Sequence, residues 1–215
     1  MAYLSRIELD PRSYRVADAL GNRGVMHAAI ERTSQGERPH ILWRLEENGS
    51  GKSVLMVSGE PYDLSGLQER FGKKGTSPNT LEYDKFIGMF EDGTCAEFKV
   101  VVNPVVRIRE DGAKNSKEIP LNLKKTAKYP YSAEDWLRDK MEKNGAHVQT
   151  ASVDRAETVM VAKENGGNQF PLFIVTYSGT LEVTDAEKFR RVLTSGLGRK
   201  KAYGCGLVTA KPIPF

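Results

Sequence analysis

Long apolar runs are missing from this chain of 215 residues. A membrane helix needs about 18 consecutive apolar residues, and no stretch approaches that. The N-terminal Met1-Ala2-Tyr3-Leu4-Ser5-Arg6 lacks the apolar core of a signal peptide. Cysteine is scarce, with Cys95 and Cys205 far apart, and two such thiols without a secretion signal are expected to stay reduced. A cytoplasmic protein with no membrane partner is the expectation. Histidine is nearly as rare. His27, His40 and His147 are scattered, so no close His/Cys pair offers zinc a site, and neither a metal nor a cofactor is expected. A Gly-x-Ser-x-Gly nucleophile elbow is missing as well.

Charge of one sign is lacking only in part of the chain. Residues 1–100 carry 13 Lys/Arg against 15 Asp/Glu, whereas residues 101–215 carry 19 against 13. The basic surface therefore belongs to the C-terminal half, where it reads either as solvated lysines or as a site for an anionic partner. One segment of that half is unusual. Gly196, Gly198, Gly204 and Gly206 surround the consecutive cations Arg199, Lys200 and Lys201. Glycine permits positive φ and close approach of backbone to a ligand, and N–H groups beside cations suit a polyanion. The segment is not a dinucleotide fingerprint, because Lys201 stands where the third glycine should be. Its length favours nucleic acid over a mononucleotide, with packing of the C-terminal strand as the plainer role.

Gly49-Ser50-Gly51-Lys52-Ser53 resembles the end of a phosphate-binding loop, but the glycine required five residues before Gly51 is Glu46. It reads as a hairpin turn between strands at 40–46 and 53–58. A nucleotide-binding enzyme would rest on this segment alone.

Periodicity predicts α+β architecture. Residues 3–9 alternate as a strand, and Asn22 is placed to cap a helix running through Met26, His27 and Ile30. With the hairpin this gives β-α-β-β, half of a ferredoxin-like unit. Residues 61–94 have scattered turn residues and are expected to finish that unit and lead to the next. The second half repeats the order. Phe98–Val102 is a strand that ends at Asn103-Pro104 or resumes over Val105–Arg109. Ser132 caps a helix that Gly145 ends. His147–Val153 and Val159–Ala162 read as two strands, Phe170–Tyr177 as a central strand continued by Thr180–Val183, and Thr184 or Asp185 caps a last helix ended by Gly196. Two tandem ferredoxin-like domains, 1–90 and 91–215, are the economical reading.

His27, on an early helix after the cation Arg23, is either a partly buried helix histidine or an acid-base group. Beside bound RNA a histidine can do acid-base work near neutral pH without a metal, because RNA supplies its own 2′-hydroxyl nucleophile. His40 and His147 sit at strand edges and read as structural.

These residues together resemble the CasE family, the type I-E branch of the Cas6-like CRISPR RNA endoribonucleases. The likeness runs through Tyr3-Leu4-Ser5-Arg6, Met26-His27, Leu42-Trp43-Arg44-Leu45, Phe98–Pro104 and Trp136-Leu137. It is most specific over Gly179–Asp185 and the Lys-Ala-Tyr-Gly-Cys-Gly-Leu block ending at Leu207. The resemblance implies tandem ferredoxin-like domains that bind a CRISPR repeat stem-loop RNA and cut it without metal at the 3′ base of the stem. It further implies 2′,3′-cyclic phosphate and 5′-hydroxyl ends, and retention of the guide RNA with the other subunits of the Cascade complex. His27 takes the position of the catalytic histidine. Arg23, the glycines and the three cations of the C-terminal loop are the expected RNA contacts. So are Arg155 and Lys163, which a basic hairpin placed loosely over 155–172 contributes. Lys114, Lys117, Lys124 and Lys125 are further candidates for phosphate contacts. Relatives often carry a tyrosine three residues before the histidine, where this chain has Gly24. That departure keeps open a non-catalytic repeat-RNA-binding role.

Overall fold

The structure, a computed structural model, describes residues 1–34, 40–49, 51–108, 116–162 and 169–214. The chain starts with β1 (Tyr3–Leu9), α1 (Tyr14–Gly21) and α2 (Arg23–Glu31). It continues through β2 (Leu42–Asn48), β3 (Gly51–Ser58), α3 (Ser65–Phe71) and β4 (Asn79–Glu82). The strands form an antiparallel sheet in the order β2-β3-β1-β4. After a short α4 (Asp84–Ile87) come β5 (Cys95–Val102), β6 (Val105–Ile108), β7 (Lys117–Pro120) and α5 (Ala133–Glu142). The last elements are β8 (Ala146–Val161), β9 (Phe170–Val183), α6 (Ala186–Ser195), a 3-10 turn (Lys201–Tyr203) and β10 (Val208–Pro212). The second sheet has the order β10-β5-β9-β8, with β6 and β7 paired apart as a two-stranded insertion. In both sheets the first strand of the unit is flanked by its third and fourth, and the second lies outermost. That is the ferredoxin-like order, so the fold is a tandem of two such units. None of the described helices is long and apolar enough to cross a membrane.

Local signals account for the helix boundaries. Asn22 is extended, breaks α1 from α2, and accepts a hydrogen bond from the Gly24 N–H at 3.0 Å. The same Oδ1 accepts from the Ala162 N–H at 2.9 Å, which ties the start of α2 to the end of β8. Ser132 and Asp135 form a reciprocal capping box on α5. Asp185 caps α6, and Gly196 ends it at φ 75°.

Two strand expectations change. His147–Val153 and Val159–Ala162 belong to one strand of 16 residues. The polar middle, Asp154 to Thr158, breaks the apolar pattern, but pairing with β9 carries the backbone through it, with Arg155 opposite Thr176 and Glu157 opposite Ile174. The ladder shifts register between Val148 and Thr150 and between Val153 and Arg155. β6 does follow Pro104, but it pairs with β7 instead of prolonging β5, an arrangement set by a partner farther along the chain.

Strands β2 and β3 of the first sheet bury residues on both faces, while β4 at its edge is exposed. Ile7, Leu9, Trp43, Val54 and Met56 pack beneath the helices with Val16, Met26, Ile30, Leu67 and Phe71. Alternate residues Leu42 and Val57, with Leu4 and Leu55, join the core of the second half. Arg44, on the same side and only 1% exposed, fastens the halves. Its Nη1 donates to the carbonyls of Lys99 (2.7 Å) and Leu207 (2.8 Å), its Nη2 to Thr209 Oγ1 (2.8 Å), and its Nε to Glu46 Oε1 (2.8 Å). Lys99 Nζ reaches the other Glu46 oxygen at 2.9 Å. Strand β2 is thereby fixed against β5 and β10, and Trp43, the residue before Arg44, is fixed with it.

Candidate active site

His27 lies on the face of α2 that meets the C-terminal glycine-cation loop. Its side chain is 26% exposed, and Nε2 is 3.4 Å from Glu31 Oε1 one helical turn on. The Tyr203 ring stands edge-to-face against the imidazole, with centroids 5.5 Å apart and planes at 78°. Tyr203 is itself backed by Phe170 at 5.6 Å and 72°. The histidine and the loop, 176 positions apart in sequence, thus form one site.

Trp43 seats the loop. Its indole Nε1 donates to the Ala202 carbonyl at 3.0 Å, and a Cβ built on Gly204 (φ 79°) would come within 2.8 Å of the ring. Gly206 (φ 88°) is packed as tightly, with the Leu197 carbonyl 2.5 Å from where a Cβ would stand, and its N–H donates to the Val101 carbonyl. Gly196 lies against Leu42, and Gly198 against Trp136. All four have positive φ and a close neighbour within the protein.

The three cations diverge. Lys201 turns inward, and its Nζ donates to the Ser195 carbonyl at the end of α6 at 2.6 Å; burial holds its pKa below the usual lysine value. Lys200 is left-handed (φ 61°) and lies 5.2 Å over the Phe170 ring. Arg199 is exposed, with Nη1 2.6 Å from Glu118 Oε1 on β7. Glu118 is also 3.8 Å from Lys200 and 3.5 Å from Arg107, so one carboxylate serves three cations.

Arg23 is a turn before His27, at the start of α2. Its side chain is 8% exposed, lies 5.9 Å from Trp43, and is 3.9 Å from Glu157 Oε1. Burial lowers its pKa, and among the described residues its Nε has no hydrogen-bond partner. It lines a cleft of about 290 Å³ between the halves, with Lys52, Lys99, Arg155 and the carboxylates of Glu46, Glu47 and Glu157. Arg155 braces that cleft, pairing with Glu47 on β2 at 3.0 Å and with Glu157 at 2.7 Å. Lys163 and Lys114 lie outside the described residues.

Gly24, the position where the resemblance implied a tyrosine, has no room for any side chain: a Cβ there would stand 1.9 Å from the Ala162 carbonyl oxygen. The aromatic group at this site is Tyr203 instead, and it arrives from the loop. Tyr203 falls within the glycine-cation segment with no role expected of it, and neither Trp43 nor Glu118 was among the expected site residues. An aromatic between glycines and lysines was the one signal for Tyr203; nothing local marks the other two.

A tandem ferredoxin-like chain with a helix histidine against a glycine-cation loop falls within a known class. Residues 2–212 match the family described as CRISPR associated protein, and the chain belongs to it. Within that family it is a CasE-type, Cas6-like protein. It is 26% identical, over 98% of its own length and all of the relative's, to the CRISPR-associated endoribonuclease Cse3 of Thermus thermophilus. The solved structure of Thermus thermophilus Cse3 bound to an RNA representing a pre-cleavage complex superimposes with a TM-score of 0.76. That likeness covers 98% of this chain and 99% of the other at 25% identity. A chain of a CRISPR RNA-guided surveillance complex in a pre-nicking state shares the fold, with a TM-score of 0.70 at 20% identity over 98% and 100% of the two chains.

Proposed function

We propose that this protein is a CRISPR repeat-specific endoribonuclease that cuts precursor RNA at the 3′ base of the repeat stem-loop without a metal ion. It acts in the cytoplasm and stays on the mature guide RNA within a Cascade complex. The observation that carries the reading is the edge-to-face contact of Tyr203 with His27, which joins the loop suited to phosphate to the one helix histidine of a chain in this family. The RNA-bound relative and the surveillance-complex neighbour support RNA and Cascade subunits as partners.

The chemistry follows from what RNA carries. A base removes the proton of the 2′-hydroxyl, whose oxygen bonds to the adjacent phosphorus. The P–O5′ bond breaks, and the leaving 5′-oxygen takes a proton, giving a 2′,3′-cyclic phosphate and a 5′-hydroxyl. His27 serves as base, acid, or both in separate steps. Arg199 and Lys200 stabilise the charged phosphorane or bind neighbouring phosphates. Gly196, Gly198, Gly204 and Gly206 hold the loop's shape, and Lys201 fastens it to α6. Arg23 and Arg155, which line the cleft between a unit of residues 1–90 and one of 91–215, and Lys163 are the remaining RNA contacts of this reading.

The test is His27→Ala on a hairpin repeat RNA. RNA binding is retained and cleavage falls by about 10²–10⁴-fold. Wild-type cleavage persists in EDTA and stops when the scissile nucleotide is 2′-deoxy. Full activity of the variant overturns the assignment, and dependence on a divalent ion overturns the mechanism. The packing of Gly24 on Ala162, which shuts out a side chain three residues before the histidine, favours a second reading as a non-catalytic repeat-RNA-binding subunit. A wild-type chain that binds the RNA and never turns it over establishes that reading.

A further inference from the structure

We infer that Tyr203 is a positioning residue for His27, and that it acts through its ring. The inference deepens the endoribonuclease reading and rests on it for its kinetic part.

An imidazole on a helix has two side-chain torsions to fix before it can transfer a proton along a set line. On its own helix, His27 has Glu31 one turn away, with Nε2 to Oε1 at 3.4 Å. Glu31 is itself about half exposed, so it is a loose restraint. Gly24 itself offers no side chain to help, because the Ala162 backbone just past β8 fills that space. Tyr203 meets the imidazole ring itself. Its ring meets the imidazole edge-to-face, a preferred aromatic geometry, and Phe170 meets it in the same way from another side.

The Tyr203 backbone is also held. Its N–H donates to the Lys200 carbonyl at 2.9 Å, the preceding Ala202 carbonyl accepts from Trp43, and the following Gly204 is pressed onto the Trp43 ring. Trp43 stands beside Arg44, which is anchored to the second half. A chain of contacts thus runs from the interface between the halves, through Trp43 and the loop, to Tyr203 and the imidazole edge. Both ring contacts are aromatic and neither uses the phenol oxygen, so phenylalanine should serve where leucine should not.

The experiment has two arms on the full-length protein. In the RNA-free protein, the His27 imidazole carbon–proton resonances are recorded by NMR for wild type, Tyr203→Phe, Tyr203→Leu and Phe170→Leu. The phenylalanine variant keeps the wild-type position to within small ring-current differences. The leucine variant moves and broadens the signal, and Phe170→Leu shifts it in the same direction without altering the loop sequence. In single-turnover cleavage of a hairpin repeat RNA, Tyr203→Phe stays within about twofold of wild type. Tyr203→Leu loses about 10- to 100-fold in rate with its RNA Kd unchanged, as small misplacements of a reacting group do. A leucine variant with an unmoved His27 signal overturns the inference, as does a phenylalanine variant that fails like leucine. A loss of RNA affinity in step with thermal stability, at unchanged rate, assigns Tyr203 a packing role and also overturns it. If His27→Ala still cuts while Tyr203→Leu moves the His27 signal, the endoribonuclease role of His27 falls and the positioning contact stands.

Discussion

Trp43 occupies the space a side chain on Gly204 would need, with ring carbon Cζ3 2.8 Å from the Cβ position. The indole cannot step aside, because its Nε1 is committed to the Ala202 carbonyl and it is 1% exposed in the core beneath the helices. Gly204→Ala therefore meets a fixed ring while forcing an L-residue to φ 79°. We expect a loss of roughly 1–3 kcal/mol of stability, as for overpacked sites. Cleavage should fall further than stability explains, because Tyr203 and Lys200 move with the loop. Gly49→Ala is the control, since nothing lies within 4 Å of a Cβ there; its change should stay within about 0.5 kcal/mol. Urea unfolding of the two variants side by side checks this.

Arg44→Ala should be among the most damaging single changes. It removes the donor to two carbonyls, a threonine hydroxyl and a carboxylate, and leaves Glu46 largely buried with Lys99 as its remaining cation. Breaking a buried, hydrogen-bonded ion pair from one side costs about 3–5 kcal/mol. A double-mutant cycle with Glu46→Gln measures how much of that belongs to the pair. Additive losses would show that the carbonyl bonds, and not the carboxylate, carry the interface.

Acid should loosen the same interface. Burial by itself raises the Glu46 pKa, but Arg44 and Lys99 outweigh it, and the carboxyl sits below its usual range. A carboxyl depressed on folding contributes stability that is fully present above its unfolded pKa of about 4.3 and is lost as pH falls through the folded value. Asp135, held down to about 2 by Lys125 and Ser132 against the opposing effect of burial, adds a second loss from about pH 4 to 2 at the start of α5. Urea midpoints should fall below about pH 5 in wild type and less steeply in Glu46→Gln. Parallel slopes would remove Glu46 from the account.

The parts of this fold that were readable in sequence are those whose cause is local. Asn22, Ser132 and Asp185 cap the helices they precede, and Ile7 and Leu9 alternate with Arg6 and Glu8 along β1 as a half-buried strand does. The continuous β8 was hidden because its polar middle is held by hydrogen bonds to β9, and backbone pairing leaves no mark on side-chain pattern. The site was half readable. His27 and the glycine-cation loop announced themselves separately, but their contact depends on β2, which brings Trp43 to residue 202 across 159 positions. The glycines suggested a backbone bared for a ligand; the structure gives each a close protein neighbour, among them Leu42, Trp43 and Trp136.

The loop's cations should separate by salt dependence. Lys200 lies over Phe170 with 30% of its side chain exposed and, among the described residues, no carbonyl to hold its ammonium, so Lys200→Ala should weaken repeat-RNA binding and reduce the slope of log Kd against log salt by about one. Lys201 spends its ammonium on the Ser195 carbonyl, so Lys201→Ala should lower thermal stability and leave the slope near wild type. Glu118 competes with any phosphate for Arg199 and Lys200, and Glu118→Gln should tighten RNA binding and steepen the slope. Fluorescence anisotropy across a salt series reads all three on one RNA. Equal slopes for Lys200→Ala and wild type would mean that Lys200, too, serves the loop and not the RNA. An unchanged Glu118→Gln would mean that the carboxylate gives way to phosphate at no cost.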